Sequence, residues 1–174
     1  MRDFAQKWTA FPEWSEAELL RDGWRARVVP GLSQTLVSGA LDKAWAQLGP
    51  EGAEVGLWQI ASPETPYRVR IARDRALLVS PEAMAFDPGW HADGWAATVA
   101  DNSYAVLELE GSETRNVVSE ATTADLDAGS PSAATLFAGL QSVLLYRTAE
   151  ARVRLHVESG YLPYLWRWLE TRPE

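Results

Sequence analysis

Two short clusters of oxygen-bearing side chains are the first candidates for chemistry in this sequence. Asp101 and Ser103 fall together in "ADNSYAV", and Thr122, Thr123 and Asp125 close the run "SEATTADLD". Such groups can line a pocket for a polar ligand. They can equally cap the backbone of a turn or a helix end, because Asp, Ser and Thr bond readily to neighbouring main-chain groups. A third cluster is cationic: Arg68, Arg70, Arg73 and Arg75 recur along "YRVRIARDRA". That row suits a solvated strand face, an anion, or docking against an acidic partner. His91 and His156 are the only histidines, and their separation offers no metal-ligand spacing. His156 is expected on an outward strand face beside Arg152 and Arg154, with no nucleophile near it.

Composition removes several classes of function. The 174 residues hold Lys+Arg 16 against Asp+Glu 24, a net charge of −8 that would repel a phosphate backbone. No cysteine is present, which excludes disulfides, thiolate nucleophiles and cysteine-ligated metal centres. Gly-x-Gly-x-x-Gly, the phosphate-loop pattern and Gly-x-Ser-x-Gly are all absent. The sequence shows neither an apolar leader region nor a run of the roughly 18 apolar residues that a membrane span needs. These features point to a cytoplasmic protein without nucleic-acid or membrane partners. Nine tryptophans are the compositional anomaly, since tryptophan is bulky, seldom fully buried and enriched at interaction hot spots, although several of them can simply fill the core.

The elements that would position these groups follow from periodicity. Residues 1–29 read as a polar arm with a short helix at "SEAELL" and a first strand at "WRARVVP"; residues 30–174 read as one α+β domain with a mixed, largely antiparallel sheet and packed helices. "LSQTLVSG" is a strand. "ALDKAWAQLG" is a helix, with Leu41, Ala44, Trp45 and Leu48 at helical spacing and Gly49-Pro50 as its stop. "EVGLWQIA" is a strand, and "YRVRIARDRALLVS" is a hairpin that reverses at Arg73-Asp74-Arg75. "SPEAMAFDPGWHADGW" is a loop. Strand-like "AATVADNSYAVLELEG" puts Ala105, Leu107 and Leu109 on one face, and Ser112 is the expected N-cap of a helix over "SETRNVVSEAT". "AATLFAG", "SVLLYR" and "ARVRLHVE" are strands, the last with Val153, Leu155 and Val157 inward and Arg152, Arg154 and His156 outward. The chain closes on the helix "YLPYLWRWLE". Leu162, Leu165, Trp166 and Leu169 share its core face, and Tyr161, Tyr164 and Trp168 form an uncovered aromatic flank.

The segment "ADNSYAVLELEGSETRNVVSEATTADLD" resembles the glycine-cleavage T-protein-like folate domains, in which Asp-x-Ser, a strand, Gly, a helix and Thr-Thr-x-Asp-Leu follow in that order. The matching positions are Asp101, Ser103, Gly111, Thr122, Thr123, Asp125 and Leu126. Within that superfamily, the short cysteine-free chain closing on "YLWRWLE" is most similar to the gamma-subunit family of heterotetrameric sarcosine oxidases. "LVSGALDKAWAQLG", "RALLVSPE" and "SVLLYR" fit the same layout, so the resemblance covers roughly residues 30–172.

The resemblance implies a T-protein-like folate-binding-domain fold and a structural, non-catalytic subunit of a sarcosine or N-methyl amino acid oxidase complex in one-carbon metabolism and sarcosine catabolism. It also implies that larger partner subunits carry FAD, FMN, NAD and tetrahydrofolate, while this chain carries no cofactor. Departures from the folate aminomethyltransferases agree with that expectation. No acid and no Gly-Gly pair occurs between Ala133 and Thr148, so the group that would steer proton transfer beside a folate is missing. Ala124 stands where those enzymes tend to carry Asn, and their second domain has no counterpart here. The alternative is a free-standing folate-binding or one-carbon-transfer protein with Asp101, Ser103, Thr123 and Asp125 as a remnant pocket. For the partner surface the expected residues are Arg68, Arg70, Arg73, Tyr161, Tyr164 and Trp168.

Overall fold

The computed structural model describes residues 12–49 and 54–172; residues 1–11 of the polar arm and Pro50 of the expected helix stop lie outside them. A 3-10 turn at Trp14–Glu16 leads into β1 (Glu18–Arg21) and β2 (Trp24–Val28). There follow β3 (Ser33–Gly39), α1 (Leu41–Leu48), β4 (Glu54–Val55), β5 (Tyr67–Ala72), β6 (Arg75–Ser80), β7 (Gly89–His91), β8 (Trp95–Val99) and β9 (Tyr104–Glu110). The chain finishes with α2 (Thr114–Ala121), β10 (Ala134–Phe137), β11 (Leu140–Ala149), β12 (Arg152–Glu158) and α3 (Leu162–Glu170).

The strands make two six-stranded sheets, ordered β1-β2-β9-β12-β11-β10 and β4-β5-β6-β3-β8-β7. All pairings are antiparallel except β4 with β5. On the outer face of the first sheet, Leu107, Leu109, Val153, Leu155 and Val157 meet Val117 and Val118 of α2 and Leu162, Leu165, Trp166 and Leu169 of α3. Between the sheets, Leu144 and Tyr146 pack on Tyr67, Val69, Leu77 and Val79. On the far side, Leu41 and Ala44 of α1 cover Val37, Leu78 and Trp95. The layers therefore run helix, sheet, sheet, helix, an α+β fold in which both sheets are covered on two sides. This explains why β6 reads "RALLVS" without a polar alternation: Leu77 and Val79 face the other sheet, and Ala76 and Leu78 face α1.

Several local expectations give way to tertiary context. "SEAELL" is helical only at Ser15 and Glu16, in the 3-10 turn; Glu18–Arg21 pair with β2 instead, and Leu19 is buried. A helix of that length cannot nucleate unaided, whereas strand pairing completes a sheet edge. Ser112 does not cap α2, whose N-cap position belongs to Glu113 with no side-chain cap bond. "EVGLWQIA" is a strand only at Glu54–Val55, because Trp58 takes the left-handed backbone conformation (φ 62°), leaving single bridges at Leu57 and Ile60. The Gly-rich loop after β6 contains β7, which pairs with β8.

The closing helix matches its helical spacing: Leu162, Leu165, Trp166 and Leu169 are all buried, and Pro163 lies in the first turn. Its aromatic flank is less bare than expected. Trp168 is half-buried, packs edge-on to Phe137, and carries the Arg172 guanidinium 5.0 Å from its ring. Gly111 also has a physical reason. Its φ of 135° favours glycine, and a Cβ there would overlap the Gly23 carbonyl oxygen in the β1–β2 turn.

Candidate functional site

The main departure from the sequence reading lies between the sheets. Arg154 and His156, expected on an exposed face, are buried, His156 completely. The alternation of β12 is as read, but its second face meets the other sheet rather than water. Only Arg152, nearer the strand end, remains half-exposed.

Buried polar groups need partners, and these form one continuous chain. Glu108 on β9 takes Arg27 at 2.6 Å on one carboxylate oxygen and Arg154 at 2.8 Å on the other. Arg154 also donates to the Tyr67 hydroxyl at 2.9 Å. Tyr67 and Tyr146 hydroxyls are 2.7 Å apart, Tyr146 is 2.7 Å from His156 Nε2, and His156 Nδ1 is 2.7 Å from Gln34 Oε1. The Gln34 amide donates to the Tyr104 carbonyl at 3.0 Å, which directs its oxygen toward His156. With Gln34 Oε1 as acceptor, a neutral His156 donates from Nδ1 and accepts at Nε2. Tyr146 then donates to His156, and Tyr67 to Tyr146. Every proton in the chain points the same way, from Arg154 toward Gln34.

The ionisation states are fixed by the same burial. Burial first, and the Arg154 charge second, lower the His156 pKa to about 3, so its imidazole is neutral at physiological pH. Burial raises Tyr67 and pushes Tyr146 well above the ordinary tyrosine range. For Glu108 burial would raise the pKa, but hydrogen bonds from Arg27 and Arg154 outweigh it and leave the carboxylate below its usual range. Burial thus moves His156 below neutrality and the two tyrosines further above it, away from the range that general acid–base work requires. The relay is suited to holding two sheets in register.

The oxygen-bearing clusters occupy two separate turns. Asp101 Oδ1 accepts from the Gln34 backbone N–H at 2.6 Å, tying the β8–β9 turn to β3. The same turn holds Ser103, whose carbonyl accepts from Ser159 N–H at 3.0 Å. Asp101 lines a cleft of about 310 Å³ with Gln34, Tyr104 and Leu162, so the relay ends at that cleft. Thr122 and Asp125 lie in the turn after α2. Thr122 is buried against Thr135 at 3.1 Å; Asp125 caps the N–H groups of Asp127 and Ala128 at 2.9 and 3.0 Å. The bonds from Ala128 and then Asp127 lower the Asp125 pKa. Thr123 is exposed beside them, and neither Thr123 nor Asp125 belongs to the walls of the Asp101 cleft. Among the described residues, no group of His, Asp or Glu side chains could hold a metal ion.

The arginine row divides. Arg70 pairs with Glu54 and donates to the Arg73 carbonyl at 2.6 Å, and the Arg68 guanidinium lies 5.1 Å from the Trp45 ring. Arg73 and Arg75 are exposed. His91 stacks on Trp95 at 3.6 Å between ring centroids. Tyr161 and Tyr164 are each about half exposed, and the Tyr164 hydroxyl donates to Ala138 O at 2.9 Å. No described helix is long and apolar enough to cross a membrane.

No family model and no curated protein matches the sequence. Among solved structures, the chain is similar to one in the heterotetrameric sarcosine oxidase from Corynebacterium sp. U-96 in complex with pyrrole 2-carboxylate. The TM-score is 0.68 at 19% identity, over 90% of this chain and 87% of that chain. At that identity the likeness is one of fold.

Proposed function

We propose that this chain is a non-catalytic structural subunit, of the gamma type, in a hetero-oligomeric flavin-dependent oxidase of sarcosine or a related N-methyl amino acid. One observation carries the reading: the fold match is nearly reciprocal in coverage, so the similar chain in that oxidase is close to this one in length as well as architecture. The relay supports it, because its titratable groups are held away from neutral pH inside the protein. In this proposal larger partner subunits hold FAD, FMN, NAD and tetrahydrofolate. Tyr161, Tyr164 and the exposed arginines of the β5–β6 hairpin contribute to the docking surface. The test is affinity purification of the chain from its native cells, with an absorbance scan for flavin. Co-purification with flavin-containing subunits supports the proposal. A purified chain that is itself yellow, or that oxidises sarcosine unaided, overturns it. Calorimetry with tetrahydrofolate separates the free-standing folate-binding alternative, which requires saturable binding to the isolated chain.

A further inference from the structure

Beyond the subunit proposal, and independent of it, the geometry around Trp58 points to a binding site for a small organic monocarboxylate, with Arg147 as its anchor. Residues 57–61 run beside β11 and are tied to it by Arg147: its N–H donates to Gln59 O, its carbonyl accepts from Ala61 N–H, and its Nε donates to Trp58 O, each at 2.8 Å. The guanidinium is thereby oriented. With Nε engaged, the edge formed by the two Nη groups is left, the geometry that grips a carboxylate with two parallel hydrogen bonds. Arg147 makes no ion pair among the described residues, in a protein of net charge −8.

The surroundings define a site rather than a stray cation. Arg147 and Arg115 approach the Trp58 indole at 5.2 and 5.8 Å, so two cations converge on one ring. Trp58 itself holds a left-handed φ of 62°, a conformation bulky residues rarely keep unless their surroundings impose it. Two clefts of about 510 and 360 Å³ meet at these three side chains. The larger has Leu126 and Pro131 in its walls, room for the apolar body of a ligand. Thr114 lines the smaller, and its buried hydroxyl has no hydrogen-bond partner among the described residues.

The local charges select a monoanion. Arg115 is engaged by Asp127 at 2.7 Å, which leaves Arg147 as the cation without an ion pair among the described residues, and Glu150 adds a carboxylate to the lining of the smaller cleft. A dianion such as phosphate would bring a second negative charge close to those carboxylates.

Titrating the 15N-labelled full chain with benzoate, benzamide and inorganic phosphate tests the assignment by chemical-shift mapping. Benzoate is expected to shift the Trp58 indole and Arg147 Nε–H resonances saturably, with benzamide inert. Arg147→Gln should weaken benzoate binding by about tenfold or more, the usual worth of a charge-assisted hydrogen-bond pair. Arg167→Gln, on the exposed face of α3, should leave it unchanged. Wild-type mapping decides the matter even if Arg147→Gln fails to fold. Benzoate shifts that gather on the Arg68–Arg75 hairpin, or equal shifts from benzamide, would overturn the site. Phosphate saturating it more tightly than benzoate would overturn the ligand class.

Discussion

Arg154 and Arg147 lie on neighbouring antiparallel strands, yet the fold treats their charges in opposite ways. Tyr146 is paired with Arg154 and Arg147 with Val153, so the two arginines point to opposite faces of one sheet. Arg154 enters the space between the sheets, where Tyr67 and Glu108 take its two Nη groups, its Nε has no partner among the described residues, and its side chain is 7% exposed. Arg147 turns toward α2 and, among the described residues, its guanidinium meets a carbonyl and an indole. The first charge is sealed into a network with acceptors on both sides; the second keeps donors in an open cleft. A charge paired with a carboxylate inside the protein contributes to the fold, and a charge left without one is available to something else.

The sharpest way to break this contrast is to remove the sealed charge. Arg154→Met leaves the buried Glu108 to the partly exposed Arg27 and a more distant Arg152 at 3.8 Å, and leaves the Tyr67 hydroxyl without its donor. A destabilisation of about 3–5 kcal/mol is expected by urea denaturation, the usual cost of breaking one side of a buried pair. A loss under about 1 kcal/mol would place the relay with surface ion pairs and end the comparison.

His156 gives a pH signature next in size. The unfolded imidazole protonates near its ordinary 6.5, whereas the folded one resists until about 3. Protons therefore bind the unfolded chain first. Stability from this group is full above pH 6.5 and falls as the pH drops through that window, by up to about 1.4 kcal/mol per unit. His156→Gln should flatten the dependence between about pH 6.5 and 4.5 in the same unfolding measurement. Below that range the carboxylates add their own loss, Glu110 among them, because hydrogen bonds from Arg152 and Arg25 hold its pKa at about 2. A wild-type protein with constant stability from pH 7 to 5 would mean that His156 takes up its proton without opening the sheets.

A smaller effect separates links of the chain from its ends. Tyr67→Phe removes the hydroxyl joining Arg154 to Tyr146 while keeping the ring that packs edge-on against Tyr146 at 5.7 Å. The expected loss is about 1–3 kcal/mol, because Arg154 and Tyr146 both lose a buried partner.

How much of this was legible in the sequence depends on what each feature requires. The closing helix could be read because a 3.6-residue period names its buried face, and Leu162, Leu165, Trp166 and Leu169 obey it. The β5–β6 hairpin could be read because alternation and a two-residue reversal are both local. On β12 alternation gave the two faces correctly but not their environment. Whether Arg154 and His156 meet water depends on the second sheet, and only the polarity-free run of β6 hinted that a layer covers both sides. Asp125 was legible as a turn-capping type, since its bonds to Asp127 and Ala128 lie within its own loop, whereas Asp101 reaches the Gln34 N–H on β3, which no local pattern shows. The Trp58 cleft had no local signal. It rests on a left-handed tryptophan and on arginines from α2 and β11 that only the tertiary fold brings to one ring.

The smallest expected effect is on folding, and it comes from the cleft. Arg147→Gln removes one hydrogen bond to Trp58 O and a cation beside the indole, but it strands no buried charge, because Arg147 has no carboxylate partner among the described residues. The loss should stay near or below about 1.5 kcal/mol, the net worth of an ordinary hydrogen bond. Measured beside Arg154→Met under identical conditions, it orders the two arginines directly. If Arg147→Gln destabilises as much as Arg154→Met, the guanidinium is needed to hold Trp58 in its left-handed conformation. Its open donors would then be incidental to a structural role. If the loss is small, the same variant is folded well enough to report on what those donors bind.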